Sequence, residues 1–282
     1  MSPTNTSLSL RTSFALLSLL LVGCQDARAN PSYIEACRSL GLCDEEPKRP
    51  ILVDVLCDAS VGGPCRRDSL EKTLLAALHE VSDRPGSRIR LWMLQKTVAD
   101  TAVIGEQVVP ATRRGSVRTK RAIADRFVAS TAEFFATLAA PVLDAAPIRR
   151  SALAEALSKV ALADAGGLVR QLVVITDGRE VTSFHDFECG ALPAEAKFLA
   201  SLRKRELLEP GSLAGTPVHF AFMQSAPIPA RGCAVQIDRE RRIRKLWTAA
   251  LRAAGATELH MSSGAPTFEH VSENETEQKD KQ

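Results

Sequence analysis

The 282-residue chain lacks most of the local marks of a catalyst. It has no GxSxG elbow, no HExxH pair and no P-loop. Asp54 and Asp58 are four apart, which is not the Asp-x-Asp spacing used by phosphatases of the haloacid dehalogenase type. No two cysteines stand at CxxC spacing, and His185 beside Cys189 is a single weak ligand pair, so nothing reads as a zinc site. Aromatic residues make up only 5% of the chain, with one Tyr and two Trp. A core must therefore be built mainly from Leu, Val and Ala. The scarcity also bears on two basic runs, one of Arg113, Arg114, Arg118, Lys120 and Arg121, the other of Arg239, Arg241, Arg242, Arg244 and Lys245. With almost no interleaved aromatics and a formal charge of only +3, these runs suit a solvated face, anionic lipid or cell-wall polymer, and no nucleic-acid partner is expected. No internal repeat is visible.

The N-terminus reads as a targeting segment. Arg11 is the only charge before the apolar stretch Phe14–Val22, which is too short to remain as a membrane-spanning helix. It ends Leu21-Val22-Gly23-Cys24, which resembles a bacterial lipobox, where cleavage leaves a diacylated Cys24. Buried acyl chains contribute about 0.8 kcal/mol per CH2, enough in number to anchor the mature chain. Gln25 favours the outer over the inner membrane. Export then makes the remaining six cysteines, Cys37, Cys43, Cys57, Cys65, Cys189 and Cys233, candidates for three disulfides. Fifteen connectivities exist; sequence proximity favours Cys37–Cys43 and Cys57–Cys65, leaving Cys189–Cys233.

The chain divides into four segments: a signal peptide (1–23), a polar tether (24–49), one folded domain (50–262) and an acidic, aperiodic tail (263–282) expected to be disordered. Within the domain, Ile51–Gly63 (ILVDVLCDASVGG) opens as a buried parallel strand and ends in small and acidic residues. Gln171–Gly178 (QLVVITDG) repeats the design, and the two strands are expected side by side, with Asp58 and Asp177 at one rim. Between and after them, apolar spacing predicts a helix from Asp68-Ser69 to Val81, a strand over Arg88–Leu94, an edge strand over Thr101–Val109 and a helix over Ala122–Leu138 broken by Pro141 and Pro147. It then predicts a helix over Ser151–Ala163, a long loop over Gly178–Leu192, a helix over Pro193–Leu208, a strand over Pro217–Met223, a helix over Asp238–Ala254 and a last strand over Thr257–Met261. This alternation argues for an α/β fold: a Rossmann-like, doubly wound, mostly parallel sheet with helices on both faces.

Three pieces in order now resemble a known family. A strand ending Asp-x-Ser-x-Gly, a later Ser opening a helix of the form S-x-L-x-E-A-L, and a strand ending V-V-I-T-D-G are similar to a von Willebrand factor A-type domain, over about Pro50 to Met261. The resemblance implies a metal-ion-dependent adhesion site at the rim. Carried over by position, Asp58 and Ser60 match the first Asp and Ser, Ser151 takes the Thr position and Asp177 the distant Asp. Gly62 stands where the second Ser would be, which removes one ligand. A hard octahedral cation, Mg2+ or Mn2+, suits such oxygen donors. A rival register makes Asp54 the first Asp, which would spare a strand interior an unpaired carboxylate but would place Leu56 at a ligand position. The expectation is a lipid-anchored, non-enzymatic binding module of the cell envelope, meeting a protein partner at this rim. The alternatives are a metal-dependent hydrolase or phosphatase using the same rim, with His185 as the only near acid or base, and a metal-free scaffold component.

Overall fold

The computed structural model describes residues 48–60, 65–94, 101–111, 117–145, 151–222 and 238–263. Contacts separate Met1–Pro47 from Lys48–Gln282, and all of the described residues belong to the second unit. Cys24, Cys37, Cys43, Gly62 and Cys233 lie outside the described residues.

Six strands form one sheet. They are β1 (Ile51–Asp58), β2 (Arg88–Leu94), β3 (Ala102–Val108), β4 (Val169–Thr176), β5 (Val218–Phe222) and β6 (Leu259–Ser262). Their order is β3-β2-β1-β4-β5-β6, with every pairing parallel except that of β3 on β2. All eight residues of β1 are buried, as a central strand covered on both faces requires. The helices are α1 (Arg67–Ser82), α2 (Val117–Leu143), α3 (Leu153–Leu162), α4 (Glu195–Lys204) and α5 (Arg239–Ala253). The expected doubly wound α/β layout is the one observed.

Alternation along the strands sends side chains to two separate cores. Val53, Val55 and Cys57 of β1 join Leu74 and Leu78 of α1 and Phe127 and Phe135 of α2. Leu56 faces the other way, with Leu153 and Leu157 of α3, Phe198 of α4 and Trp247 of α5. Although aromatics are few, they are concentrated: Phe187, Phe198, Phe220, Phe222 and Trp247 all belong to this second core, their rings in contact.

Three boundaries differ from those the sequence predicts. Helix α2 begins inside the basic stretch and continues through Pro141. That proline sits in the last turn, where its missing N–H removes one bond with only two helical residues after it. Helix α4 is shorter than Pro193–Leu208, because Glu206 and Leu208 adopt φ of 57° and 48° and turn the chain away. Helix α3 starts at Leu153, so Ser151 stands two residues ahead of it, in an isolated bridge with Val181. At the sheet edge, Gly105 is a close-packing requirement: a Cβ there would lie 2.8 Å from Leu138 Cδ1 and 3.0 Å from the rings of Phe134 and Phe135.

Candidate functional site

Parallel pairing aligns the carboxyl ends of β1 and β4, with Cys57 opposite Ile175. The next residues along, Asp58 and Thr176, are joined by a hydrogen bond from Thr176 Oγ1 to Asp58 Oδ2 at 2.8 Å. Ser151 Oγ donates to the same oxygen at 3.2 Å, and Ser60 N–H donates to Oδ1 at 3.0 Å. Three segments far apart in sequence thus meet on one carboxylate, where an open α/β sheet binds its ligands. The Cys57–Cys65 disulfide, with Cα atoms 5.5 Å apart, closes the loop that carries Ser60. Cys189 is also in a disulfide, whose other cysteine lies outside the described residues.

Asp58 is fully buried, and burial pushes its carboxyl above the usual range, against the pull of the bonds from Ser60, Thr176 and Ser151. No cationic side chain is paired with it among the described residues. Asp177 is in a different condition. The guanidinium Nε of Arg179 lies 3.3 Å from Asp177 Oδ2, and Arg179 N–H donates to Oδ1 at 2.9 Å. Both oxygens of Asp177 therefore face the same residue.

A third carboxyl follows on the same loop. Glu180 has no exposure. Its Oε2 accepts the N–H of Ala154 at 3.0 Å at the start of α3, and its Oε1 has no hydrogen-bond partner. Burial raises this carboxyl to about 8, and the charges of Glu155 and Asp58 push the same way. The loop holding it is firmly seated: Phe187 N–H donates to Glu180 O at 2.7 Å and Val181 N–H to Ser151 O at 2.8 Å. Trp247 Nε1 donates to Gly178 O at 2.7 Å, and Arg239 Nε and Arg242 donate to the carbonyls of Phe187 and Leu192. Part of the second basic run is thus an anchor for the loop.

Asp54, the rival first ligand, is remote from the rim. Four residues back on β1 places it about 13 Å away along the strand. Arg90 Nε and one terminal nitrogen reach its two oxygens at 2.7 and 2.9 Å, Trp92 Nε1 donates at 2.8 Å, and Arg170 Nε lies 3.1 Å away. Arg170 in turn donates to the carbonyls of Ala161 and Ala163. The carboxylate that looked costly in a strand interior is the centre of a buried ion cluster tying β1, β2 and β4 to the end of α3, and it has no oxygen to offer a metal.

The structure therefore places Ser60 and Ser151 each on Asp58 and sets Asp177 one residue beyond Thr176. Sequence reasoning missed Thr176 as a partner of Asp58, although the parallel register predicts it once β1 and β4 are neighbours. It also missed Arg179 and Glu180, for which a loop sequence carries no pattern. His185 is half-buried among Phe184, Phe187 and Phe198, with its Nε2 2.6 Å from Ser201 Oγ; burial lowers its basicity, with a further push from Arg205.

Among the described residues there is no cluster of three or more His, Cys, Asp or Glu side chains of the kind that holds a metal. The rim donors are of another type, carboxylates mixed with hydroxyls. All are oxygens, and Asp58 is a buried carboxylate with no cation against it, so the set fits a hard cation of the Mg2+ or Mn2+ class in chemistry. Asp177 fits it only if Arg179 yields.

No family profile and no curated protein matches the sequence. Among solved structures, the chain is similar to the pilus adhesin SpaC from Lactobacillus rhamnosus GG in two crystal structures, at 12% identity with TM-scores of 0.35 and 0.39. Each alignment covers 78% of this chain but only 29% of the adhesin. It is also similar to proximal thread matrix protein 1 from the mussel byssus, at 10% identity and a TM-score of 0.29, over 73% of this chain and 46% of that one. At such scores the likeness does not reach function.

Proposed function

We propose that this protein is a lipid-anchored binding module of the cell envelope, built on a von Willebrand factor A-type domain, that recognises a protein partner at the rim formed by β1 and β4. The observation that carries the reading is the convergence of Ser60, Ser151 and Thr176 on the buried carboxylate of Asp58. Burying a carboxylate without a counter-charge is costly, and a bound cation would supply the charge that the chain does not set against Asp58.

In this reading Asp58, Ser60, Ser151 and Asp177 hold Mg2+ or Mn2+. The cation supplies a coordination position that a carboxylate of the partner can occupy. The chain's own part is to fix the hydroxyls, through the bridge of Ser151 to Val181 and the disulfide behind Ser60, and to keep the site dry beneath. Binding is favoured over hydrolysis because His185, the acid or base candidate named from the sequence, is packed among phenylalanines with its Nε2 on Ser201, and Glu180 is buried with one oxygen on Ala154 N–H. The lipobox ending at Cys24 supports the anchor, and Gln25 an outer-membrane position.

A melting experiment tests the site. A cation that binds only the folded state stabilises it by about 2.7 kcal/mol at a hundredfold excess over its Kd. Mg2+ or Mn2+ at millimolar concentration is expected to raise the melting temperature of the wild type, and Gly62→Ser to strengthen the response by supplying the missing hydroxyl. If Mg2+, Mn2+ and Ca2+ all leave wild type, Gly62→Ser and Arg179→Gln unmoved, the cation reading is wrong.

A further inference from the structure

Asp177 is the rim carboxylate that already meets a cationic side chain of the chain itself. Arg179 stands two residues on, just past Gly178, whose φ of 72° turns the backbone back on itself. The turn lets one residue reach both oxygens of Asp177, its N–H at 2.9 Å on Oδ1 and its Nε at 3.3 Å from Oδ2. The side chain of Asp177 is 6% exposed and that of Arg179 29%, so the acid is shielded while the guanidinium can swing out to solvent. Thr176, Asp177 and Arg179 are on one short segment.

We propose that Arg179 is a built-in competitor for the cation at the rim, a residue that sets how tightly the site binds. The inference rests on the reading of the rim as a cation site. Occupation of Asp177 by a divalent ion and its pairing with Arg179 are mutually exclusive on charge grounds, because the guanidinium would then face a like charge at contact distance. The apparent affinity for the ion is therefore reduced by the population of the closed pair. Guanidinium and metal differ in what they ask of the carboxylate: the first is a single, permanent charge with directional N–H donors, the second a double charge without them. Asp177 closed in this way is neutralised without metal, and opens only where divalent ions are abundant. Once displaced, Arg179 is an exposed cationic arm at the edge of the site.

The test uses the full-length protein and the metal alone. Melting temperature is followed against Mn2+ concentration for wild type, Arg179→Gln and Arg179→Lys, at low and at moderate salt. The competitor role predicts that Arg179→Gln reaches half of its full stabilisation at roughly tenfold lower Mn2+, the equivalent of about 1.4 kcal/mol, while its metal-free melting temperature is equal or lower. Arg179→Lys keeps a charge but not the rigid fork, and falls between the two. A merely structural Arg179 would lower the melting temperature of the glutamine variant at every Mn2+ concentration without moving the midpoint of the response. Equal midpoints in wild type and Arg179→Gln overturn the proposal while leaving the cation reading intact. A flat response in all three proteins overturns both. A response seen only in Arg179→Gln supports the proposal in its strongest form, with the wild-type site closed by its own arginine.

Discussion

Replacing Glu180 by Gln should remove a pH dependence that the wild type carries in its stability. The carboxyl has no exposure, accepts the N–H of Ala154 and is raised to about 8 from a reference of 4.5. In the unfolded chain it binds a proton only below its ordinary value, so between about pH 4.5 and pH 8 the folded state holds the extra proton. Stability then falls as pH rises, by up to about 1.36 kcal/mol per unit. Glu180 is thus fully stabilising below the unfolded value, and its contribution is lost on the way up to pH 8. The whole window amounts to at most about 5 kcal/mol. Gln keeps the acceptor for Ala154 and cannot ionise, so any unsatisfied amide proton adds a constant offset and no slope. His219, buried and lowered to about 4, acts in the opposite sense, removing stability as pH falls below its ordinary range. It is present in both proteins and cancels in the difference. Urea midpoints of wild type and Glu180→Gln, measured from pH 5 to pH 8, should therefore diverge in favour of the variant as pH rises. A difference that stays constant across that range would refute the assignment of a proton to Glu180.

Two further outcomes rest on particular residues. Gly178→Ala forces a side chain into a left-handed backbone and against Phe222 and Ile243, so the melting temperature should fall by the equivalent of about 2 kcal/mol or more, of which roughly 1–2 is backbone strain; an unchanged melting temperature would mean the loop is not seated as described. Cys24→Ser should leave the chain uncleaved or released from membranes, and a variant that is processed and fractionates like wild type removes the lipid anchor from the functional reading.

Much of the fold was legible because the sheet is buried on both faces. Runs such as ILVDVLC and LVVIT have no other stable use in an alternating α/β chain, and the glycines after them mark where the strands end. Boundaries that depend on the wider structure were less legible. Pro141 reads as a helix breaker, yet a proline in a last turn removes a single bond, and the Phe127, Val128 and Phe135 face that holds α2 on the core outweighs it. At the site, the residue types were readable and their partners were not. Asp58 and Ser151 could be named from motif order, whereas Arg179 closing on Asp177 needs the turn at Gly178, and Glu180 under α3 needs the packing of a loop. Asp54 shows the limit most sharply. A lone acid in a strand looks like a defect or a ligand until Arg90, Arg170 and Trp92, from two neighbouring strands, are placed around it.

That contrast within one strand gives the last prediction. Asp54 and Asp58 lie on the same face of β1 and are equally buried, but their surroundings set opposite signs for the same substitution. Asp54→Asn strips the counter-charge from Arg90 and Arg170, both in contact with it and nearly buried. Removing one partner of a buried ion cluster costs about 3–5 kcal/mol, or roughly 10 °C in a domain of this size. Asp58→Asn removes a charge that no cation balances. Thr176 and Ser151 hydroxyls can rotate to meet an amide as readily as a carboxylate, and Asp58, held above its usual range by burial, loses its stability contribution as pH rises. The metal-free variant should therefore melt at or above the wild-type temperature, most clearly at alkaline pH, and should no longer respond to Mn2+. The pair of variants separates fold from function with one strand and one assay. If Asp58→Asn destabilises the metal-free protein as much as Asp54→Asn does, then Asp58 is a structural group held by its hydroxyls, and the rim was never waiting for a cation.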